Sequence, residues 1–454
     1  MNQLLNPFFI SKILKNYFFD INRTFNISNE ELEKYRDKKF RRLVHYAYTV
    51  PLYHDLYKKA GVHPEDICGI KDIKKLPFVS KDELQSYHPE GLISNKISKN
   101  KLIEVSTSGT TGRSLSIFVD LQDVVIGLFA YIRMLREHDI NWKKDKITII
   151  GDFAPHTVES GYIKKGIFAR MQNSYLFKNM QWLDTNEKPE VLIKKINSFK
   201  PDFLGAYTGM LGHIALLKEK GFGDDINPSV IATTGSVFDD SLRSYVNDVF
   251  NADLFETYAS TEAGPIAFEC KKKKYHVLSD YVNLEIMEGK KIGHVVITKL
   301  YGVGTPIIRY TAMNDIAEVL SKKCSCKMSG DLIKKVYGRD ILSLYLSDGR
   351  VMLSSSISQI FSKILYVLKT NKVVDVQIIQ HDFDNLNIKL VLDENKFGED
   401  VSFQNILDVI INGFQEKMGK NVVVDIKKVD KINRKEPRII SLIKNKNFKI
   451  KGYV

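Results

Sequence analysis

The chain has 454 residues, 44% of them hydrophobic, and carries 67 Lys and Arg against 54 Asp and Glu, a formal net charge of +13. That length and apolar content suffice for one large core with a smaller domain attached, and they exclude a chain disordered throughout. The positive surplus suits an anionic ligand, although a Lys-, Asn- and Ile-rich composition gives any surface the same sign; no cluster of Arg, Lys and aromatics forms a nucleic-acid module, so no specific nucleic-acid partner is expected.

At the N-terminus, Pro7–Phe19 sets Phe8, Phe9, Ile10, Ile13, Leu14, Tyr17, Phe18 and Phe19 among polar residues. The pattern predicts a first helix packed on its own core, with contact to a membrane surface as the other reading. No small-residue cleavage site of a secretory signal is present, and apolar runs such as Val124–Met134 fall short of the roughly 20 residues a bilayer span needs. No transmembrane segment and a cytoplasmic location are therefore expected. Residues 29–81 read as helices joined by short loops, with Leu43, Tyr46, Ala47, Val50, Tyr53, Leu56 and Tyr57 at helical spacing around Pro51, which should break the run. A strand at Leu102–Val105 precedes a Ser/Thr/Gly loop, and a helix at about Asp123–Glu137 follows.

Short apolar runs then alternate with helices. Strands are expected at Lys146–Ile150, Phe203–Ala206, Val230–Thr233 and Leu254–Tyr258, and helices at Pro189–Asn197, Leu211–Lys220 and Asp240–Val249. Such alternation predicts an α/β sheet with ligands at the carboxyl ends of its strands. From Tyr275 to Leu320 the composition turns toward β, with Val282–Met287 and His294–Leu300 flanking a Gly289–Gly293 turn and Ile316–Leu320 continuing the series. Strands Val373–Gln380 and Ile388–Leu392, a helix at about Phe403–Met418 and a strand Val422–Val429 end the chain as a small α+β unit.

Three segments carry chemistry. Ser106, Thr107, Ser108, Gly109, Thr110, Thr111 and Gly112 follow a strand, and their hydroxyls and flexible backbone can wrap phosphate oxygens. No Lys closes the loop, so it is not the P-loop of the nucleotide triphosphatases. Thr261 and Glu262, after Tyr258 at a strand end, can bind phosphate and Mg²⁺, because Mg²⁺ favours carboxylates together with substrate phosphates. Asp315, in PIIRYTAMNDIAEV, has the carboxylate that can accept two hydroxyl protons.

Together these segments resemble the adenylate-forming superfamily of acyl-CoA synthetases, amide synthetase domains and luciferases, and within it the phenylacetate-CoA ligase family with its capsule-biosynthesis relatives. The stretches HYAYTVPLYHDLY and IKKLPFVSKDEL share that family's character, and the similarity runs to about residue 440. The resemblance implies a large N-terminal α/β domain, 1–338, with a mixed sheet and a β-rich portion, and a small mobile α+β domain, 339–454, hinged near Arg339 and Asp340. It implies that residues 106–112 and Thr261 hold phosphate, Glu262 holds Mg²⁺, Tyr258 lies along adenine and Asp315 binds the ribose, with Arg339 nearby. Lys435, in KINRKEPRII, falls where the family's mobile Lys meets developing charge, with Arg438 as the motif's Arg.

The sequence also departs from that pattern. Gly235, Ser236 and Val237 stand where relatives carry Gly-Glu-Pro against adenine, Met313 and Asn314 replace Thr-Gly before Asp315, and Arg434 replaces a Gly before Lys435. Ala154, Pro155, His156 and Thr157 replace a glycine-rich segment near the acyl pocket, so the acid need not be phenylacetate. Phe129, Tyr131 and Tyr207 suit an aromatic acid or equally a core.

The expected reaction is ATP-dependent adenylation of a small-molecule carboxylic acid, with Mg²⁺, then acyl transfer to CoA with release of AMP and pyrophosphate. An amine or hydroxyl acceptor on a sugar or carrier, as in surface-polysaccharide synthesis, is the alternative, and a non-catalytic nucleotide-binding or scaffold protein is the reading from another class. A monomer and a homodimer both remain open. Four Cys argue against a disulfide scaffold. Cys270, His276, Cys324 and Cys326 can together form a tetrahedral shell for a structural Zn²⁺.

Overall fold

The computed structural model describes residues 7–107, 114–154, 157, 160, 177–320, 323–433, 436–443 and 450–454. Helices α1 (Pro7–Lys15), α2 (Arg23–Asn26), α3 (Asn29–Ala47), α4 (Pro51–Ala60) and α5 (Lys81–Tyr87) open the chain. Local chemistry sets their ends. Ser28 and Glu31 form a capping box before α3, Pro51 sits at the first position of α4, and Ser80 and Glu83 form a second box before α5. Among the described residues no helix is long and apolar enough to cross a membrane.

Strands β1 (Ile103–Ser106) and β2 (Ser116–Val119) pair antiparallel, so the Ser/Thr/Gly loop joins two strands of a hairpin. The sequence reading had a helix directly after that loop; α6 (Leu121–Glu137) begins only after β2, capped by Asp120. The chain continues through β3 (Ile147–Gly151), β4 (Met180–Asp184), α7 (Pro189–Phe199), β5 (Phe203–Tyr207), α8 (Thr208–Glu219), β6 (Val230–Thr234), α9 (Asp240–Phe250) and β7 (Asp253–Ser260). Strands β3 to β7 are parallel neighbours in the order β4-β3-β5-β6-β7, and β5 and β6 are buried at every residue but the last, as strands covered on both faces are.

Beyond β7 the same sheet turns antiparallel through β8 (Gly264–Glu269), β9 (Tyr275–Val277), β10 (Val282–Ile286), β11 (Ile292–Lys299), β12 (Asp315–Leu320) and β13 (Leu332–Arg339), in the spatial order β7-β8-β9-β13-β12-β11-β10. The largest apolar cluster lies between this region and α3 to α6, and a second fills the space between the parallel strands and α7 to α9.

Past Arg339 come the hairpin β14 (Leu344–Tyr345) and β15 (Arg350–Met352), helix α10 (Ser354–Tyr366), β16 (Val373–Gln380), β17 (Asn385–Leu392), α11 (Phe403–Met418), β18 (Val423–Lys428), β19 (Ile439–Ser441) and β20 (Gly452–Tyr453). The sheet β18-β17-β16-β19 is mixed, and β20 adds to β15. These elements have their own core, centred on Ile357, Ile360, Ile388, Ile410 and Phe414. Gly413 lets α11 approach α10, because a Cβ there would stand 2.7 Å from the Ile360 side chain. The large domain and small α+β unit give the α/β class expected from sequence, and α10 packs back against α8 and α9.

Candidate active site

The loop after β6, the end of β7, the start of β12, the end of β13 and the first turn of α10 surround one cavity of about 760 Å³. Gly235, Ser236, Tyr258, Asp315 and Arg339, scattered over a hundred residues of sequence, all line it. Antiparallel register makes Asp315 and Arg339 cross-strand partners, with Arg339 Nε 3.9 Å from Asp315 Oδ1. From β7, the Tyr258 hydroxyl donates to Asp315 Oδ2 at 2.8 Å. Burial raises the pKa of Asp315, opposed by the Arg339 charge and the Tyr258 hydroxyl, while the charge on Glu262 adds to the rise. Burial likewise raises Tyr258 well above an ordinary phenol.

The backbone geometry explains two sequence departures. Asn314 has φ 57°, left-handed, and Asn is the side chain that best replaces Gly in that region. Its carbonyl accepts from the Asp340 amide at 2.9 Å, which ties the start of β12 to the end of β13. Gly235 has φ 88°, and a Cβ there would lie 2.5 Å from the Tyr207 ring, so the glycine persists although its neighbours have changed. Thr208 Oγ1 donates to the Ser236 carbonyl at 3.1 Å and holds that loop.

Behind Tyr258 lies a polar network absent from the sequence reading. Glu256 shares a face of β7 with Tyr258, as the period of a strand requires. Glu256 Oε1 accepts from the Phe238 amide at 2.9 Å, and Arg243 Nη2 bridges Glu256 Oε2 at 2.7 Å and Glu269 Oε2 at 2.9 Å. The cavity rim adds Lys334, Lys335, Ser354, Ser355 and Ser358. The i, i+2 relation to Tyr258 was a signal for Glu256; the serines approach from a distant helix and gave none.

Other expected residues lie elsewhere. Thr261 and Glu262 fall in the turn between β7 and β8, next to the cavity but not among its lining residues, and Glu262 Oε1 accepts from the Tyr310 hydroxyl at 3.2 Å. Ser106 and Thr107 sit at the base of the β1–β2 hairpin, where Thr107 Oγ1 accepts from the Leu115 amide at 2.9 Å. Ser108, Gly109, Thr110, Thr111, Gly112, Pro155, His156, Arg434 and Lys435 lie outside the described residues. The chain on either side of Lys435 is braced: Arg438 forms a two-pronged pair with Asp375 at 2.8 and 2.9 Å and donates to the carbonyls of Asn433 and Glu436 at 3.0 Å. Phe129 and Tyr131 are core residues, and Tyr207 packs beneath Gly235.

A second group of donors lies at the far end of the β-rich region. Cys270 directly follows β8, His276 is on β9, and Cys324 and Cys326 lie in the connection between β12 and β13; their donor atoms all lie within 4.8 Å of one another. The Cys270 and Cys324 sulfurs are 3.8 Å apart, which matches the edge of about 3.8 Å that a tetrahedron with Zn–S bonds of about 2.3 Å has. His276 turns Nε2 toward Cys326 Sγ at 3.1 Å, while its Nδ1 is buried without a hydrogen-bond partner, so Nε2 is the atom offered to a metal.

Comparison with known proteins defines the class. Residues 344–446 match the CapK C-terminal domain family. The chain is 24% identical to Protein CapK of Staphylococcus aureus over 94% of its own length and 91% of that protein, and 22% identical to phenylacetate-coenzyme A ligase of Pseudomonas putida over 62% and 66%. Among solved structures, a 2-hydroxyisobutyryl-CoA ligase in its postadenylation state gives a TM-score of 0.73 at 15% identity, covering 92% of this chain and 91% of that one. The same ligase in its thioesterification state gives 0.63 at 16% identity, covering 92% and 91%. The fold is that of the adenylate-forming ligases, and the resemblance expected from the sequence holds over nearly the whole chain. Among these, the chain stands close to the phenylacetate-CoA ligases and the CapK-like proteins.

Proposed function

We propose that the protein activates a carboxylic acid with ATP and passes the acyl group to CoA. The observation that carries this reading is the convergence of Tyr258, Asp315, Arg339 and the loop at Gly235 on one cavity. In it, the Asp315 carboxylate accepts the ribose hydroxyls, Tyr258 lies along the base, and the Ser/Thr/Gly loop with Thr261 holds the phosphates. Glu262 would hold Mg²⁺, which when bound neutralises phosphate charge. A carboxylate oxygen of the acid attacks the α-phosphorus, the bond to pyrophosphate breaks, and Lys435 meets the charge that develops. The small domain then rotates about Arg339 and Asp340, the acceptor's sulfur attacks the acyl carbon, and AMP leaves.

The match to a CapK C-terminal domain, together with similarity to Protein CapK over 94% of the chain against 62% for the Pseudomonas putida ligase, favours a second reading for the acceptor alone: an amine or hydroxyl on a sugar or carrier. We assign the Cys270, His276, Cys324 and Cys326 cluster to a structural Zn²⁺, since four protein ligands leave no open position.

Carboxylate-dependent exchange of pyrophosphate into ATP, with pools of aryl, fatty, amino and sugar-derived acids, tests the first half-reaction. Exchange supported by one pool and reduced at least about a hundredfold by Lys435→Ala is the expected result. Folded, ATP-binding protein that shows no exchange with any pool would favour a non-catalytic role. Adding CoA or candidate amines to the productive pool then separates the two acceptors.

A further inference from the structure

The N-terminal helix presents two apolar faces, and among the described residues only one is packed. Ile13 and Tyr17 pack inward against Val125, Phe129, Ile132 and Trp142. Ile10, Leu14 and Phe18, spaced by four residues, point outward with Phe19. Phe18 and Phe19 are 67% and 72% exposed, the highest values of any large hydrophobic side chain among the described residues, whereas most of the others are isolated in the chain. The face is also held in place. The π-helical turn Asn16–Asp20 that continues α1 is pinned where buried Arg133 donates to the carbonyls of Ile21 at 2.5 Å and Asp20 at 3.2 Å while paired with Asp280.

Charge identifies what covers this face. Lys143 Nζ stands 5.1 Å from the Tyr17 ring centre and 5.6 Å from that of Trp142, Arg136 lies 5.4 Å from Tyr17, and Lys15 and Lys144 are exposed. Acidic groups of the same segments are engaged: Asp20 with Arg23, Asp139 with Lys271, and Asp145 with the Asn141 amide. Exposed apolar side chains beside a Trp and a Tyr, rimmed by cations, match the layered chemistry of a lipid interface, apolar below and anionic above. A second copy of the chain would bring cations against cations. We propose that the face of Ile10, Leu14, Phe18 and Phe19 docks the protein on an anionic bilayer surface, with the helix lying in the interface.

The full chain should sediment with vesicles of phosphatidylglycerol and phosphatidylcholine, bind pure phosphatidylcholine far more weakly, and be released by salt. Phe18→Ser/Phe19→Ser should lower the partition coefficient about a hundredfold, since each removed apolar side chain costs about tenfold, with unfolding and pyrophosphate exchange unchanged. Lys15→Glu/Lys143→Glu should lose the preference for anionic lipid. As an independent reading of the native face, Trp142, alone after Trp182→Phe, should be quenched by brominated lipid. Wild-type protein that stays in the supernatant, unchanged partitioning of the Phe variant, an unquenched Trp142, or a dimer in analytical ultracentrifugation that the Phe variant dissolves would each overturn the proposal.

Discussion

Asp315 is asked to do two things that oppose each other. It must stay charged to accept ribose hydroxyls, yet burial is the largest influence on it and raises its pKa, with Arg339 and Tyr258 working the other way. A carboxyl whose folded pKa exceeds its unfolded value binds more protons when folded. Its contribution to stability is therefore complete below the ordinary carboxylate value and is lost as pH rises through the folded value. Asp315→Asn keeps an acceptor for the Tyr258 hydroxyl and removes the charge. Its urea midpoint should equal or exceed that of wild type at neutral pH, with the gain shrinking toward about pH 4, while the KM for ATP rises at least about tenfold. A variant less stable than wild type at neutral pH would show that the charge stabilises the fold. Asp315 was readable from its motif, but its neighbour Asn314 shows why motif reading has limits: sequence records Asn where the motif has Gly, whereas φ 57° shows a left-handed backbone that both residues adopt.

Elements announce themselves when their own residues carry the pattern, and not when a neighbour supplies it. Strands β3, β5, β6 and β7 and the helices between them were legible because each buries apolar residues, whereas β4, in which only Leu183 is buried, was not expected. Helix α10 was passed over although Ile357, Ile360 and Ile364 repeat at helical spacing, because its first turn is serine and its N-cap makes no side-chain hydrogen bond. Strand β13 was not expected, since its Lys334-Lys335-Val336-Tyr337 middle lacks the alternation of a half-buried strand and its strand character comes from pairing with β12 and β9. The turns at Cys270 and Cys324 are further elements of this kind: with Lys273 and Lys327 at φ 52° and 65°, short and basic, they have little local reason to hold their shape. If Zn²⁺ ties them, the protein should carry about one equivalent of metal, and chelation should lower the unfolding midpoint by several degrees. Cys326→Ser should lose both the metal and that stability, and Cys68→Ser, exposed and outside the cluster, neither. Metal-free protein with an unchanged midpoint would leave the cluster as reduced thiols only.

At the scale of the molecule, the docking of the small domain is built from separate light contacts. Lys369 Nζ meets Glu219 at 2.7 Å, Lys396 Nζ meets Glu190 at 2.8 Å, Ser362 donates to Asp239 at 2.9 Å, and the rings of Phe397 and Phe222 stand edge to face at 5.5 Å. Half-exposed ion pairs contribute about 0–1 kcal/mol each and a ring pair about 0.5–1.5 kcal/mol, so this set adds a few kcal/mol to the packing of α10 on α8 and α9. If rotation about Arg339 and Asp340 separates the half-reactions, Lys369→Ala/Lys396→Ala should weaken only the placement seen here. Pyrophosphate exchange should fall by a factor of about 2–10, corresponding to the loss of one or two such pairs, while acyl transfer from a preformed adenylate keeps its rate. Small-angle scattering of the same variant should show a broader distribution of domain separations. Parallel loss of both half-reactions would mean that the pairs support the shared site itself, and unchanged exchange with unchanged scattering would mean that the apolar contacts of α10 with α8 and α9 hold the small domain without them.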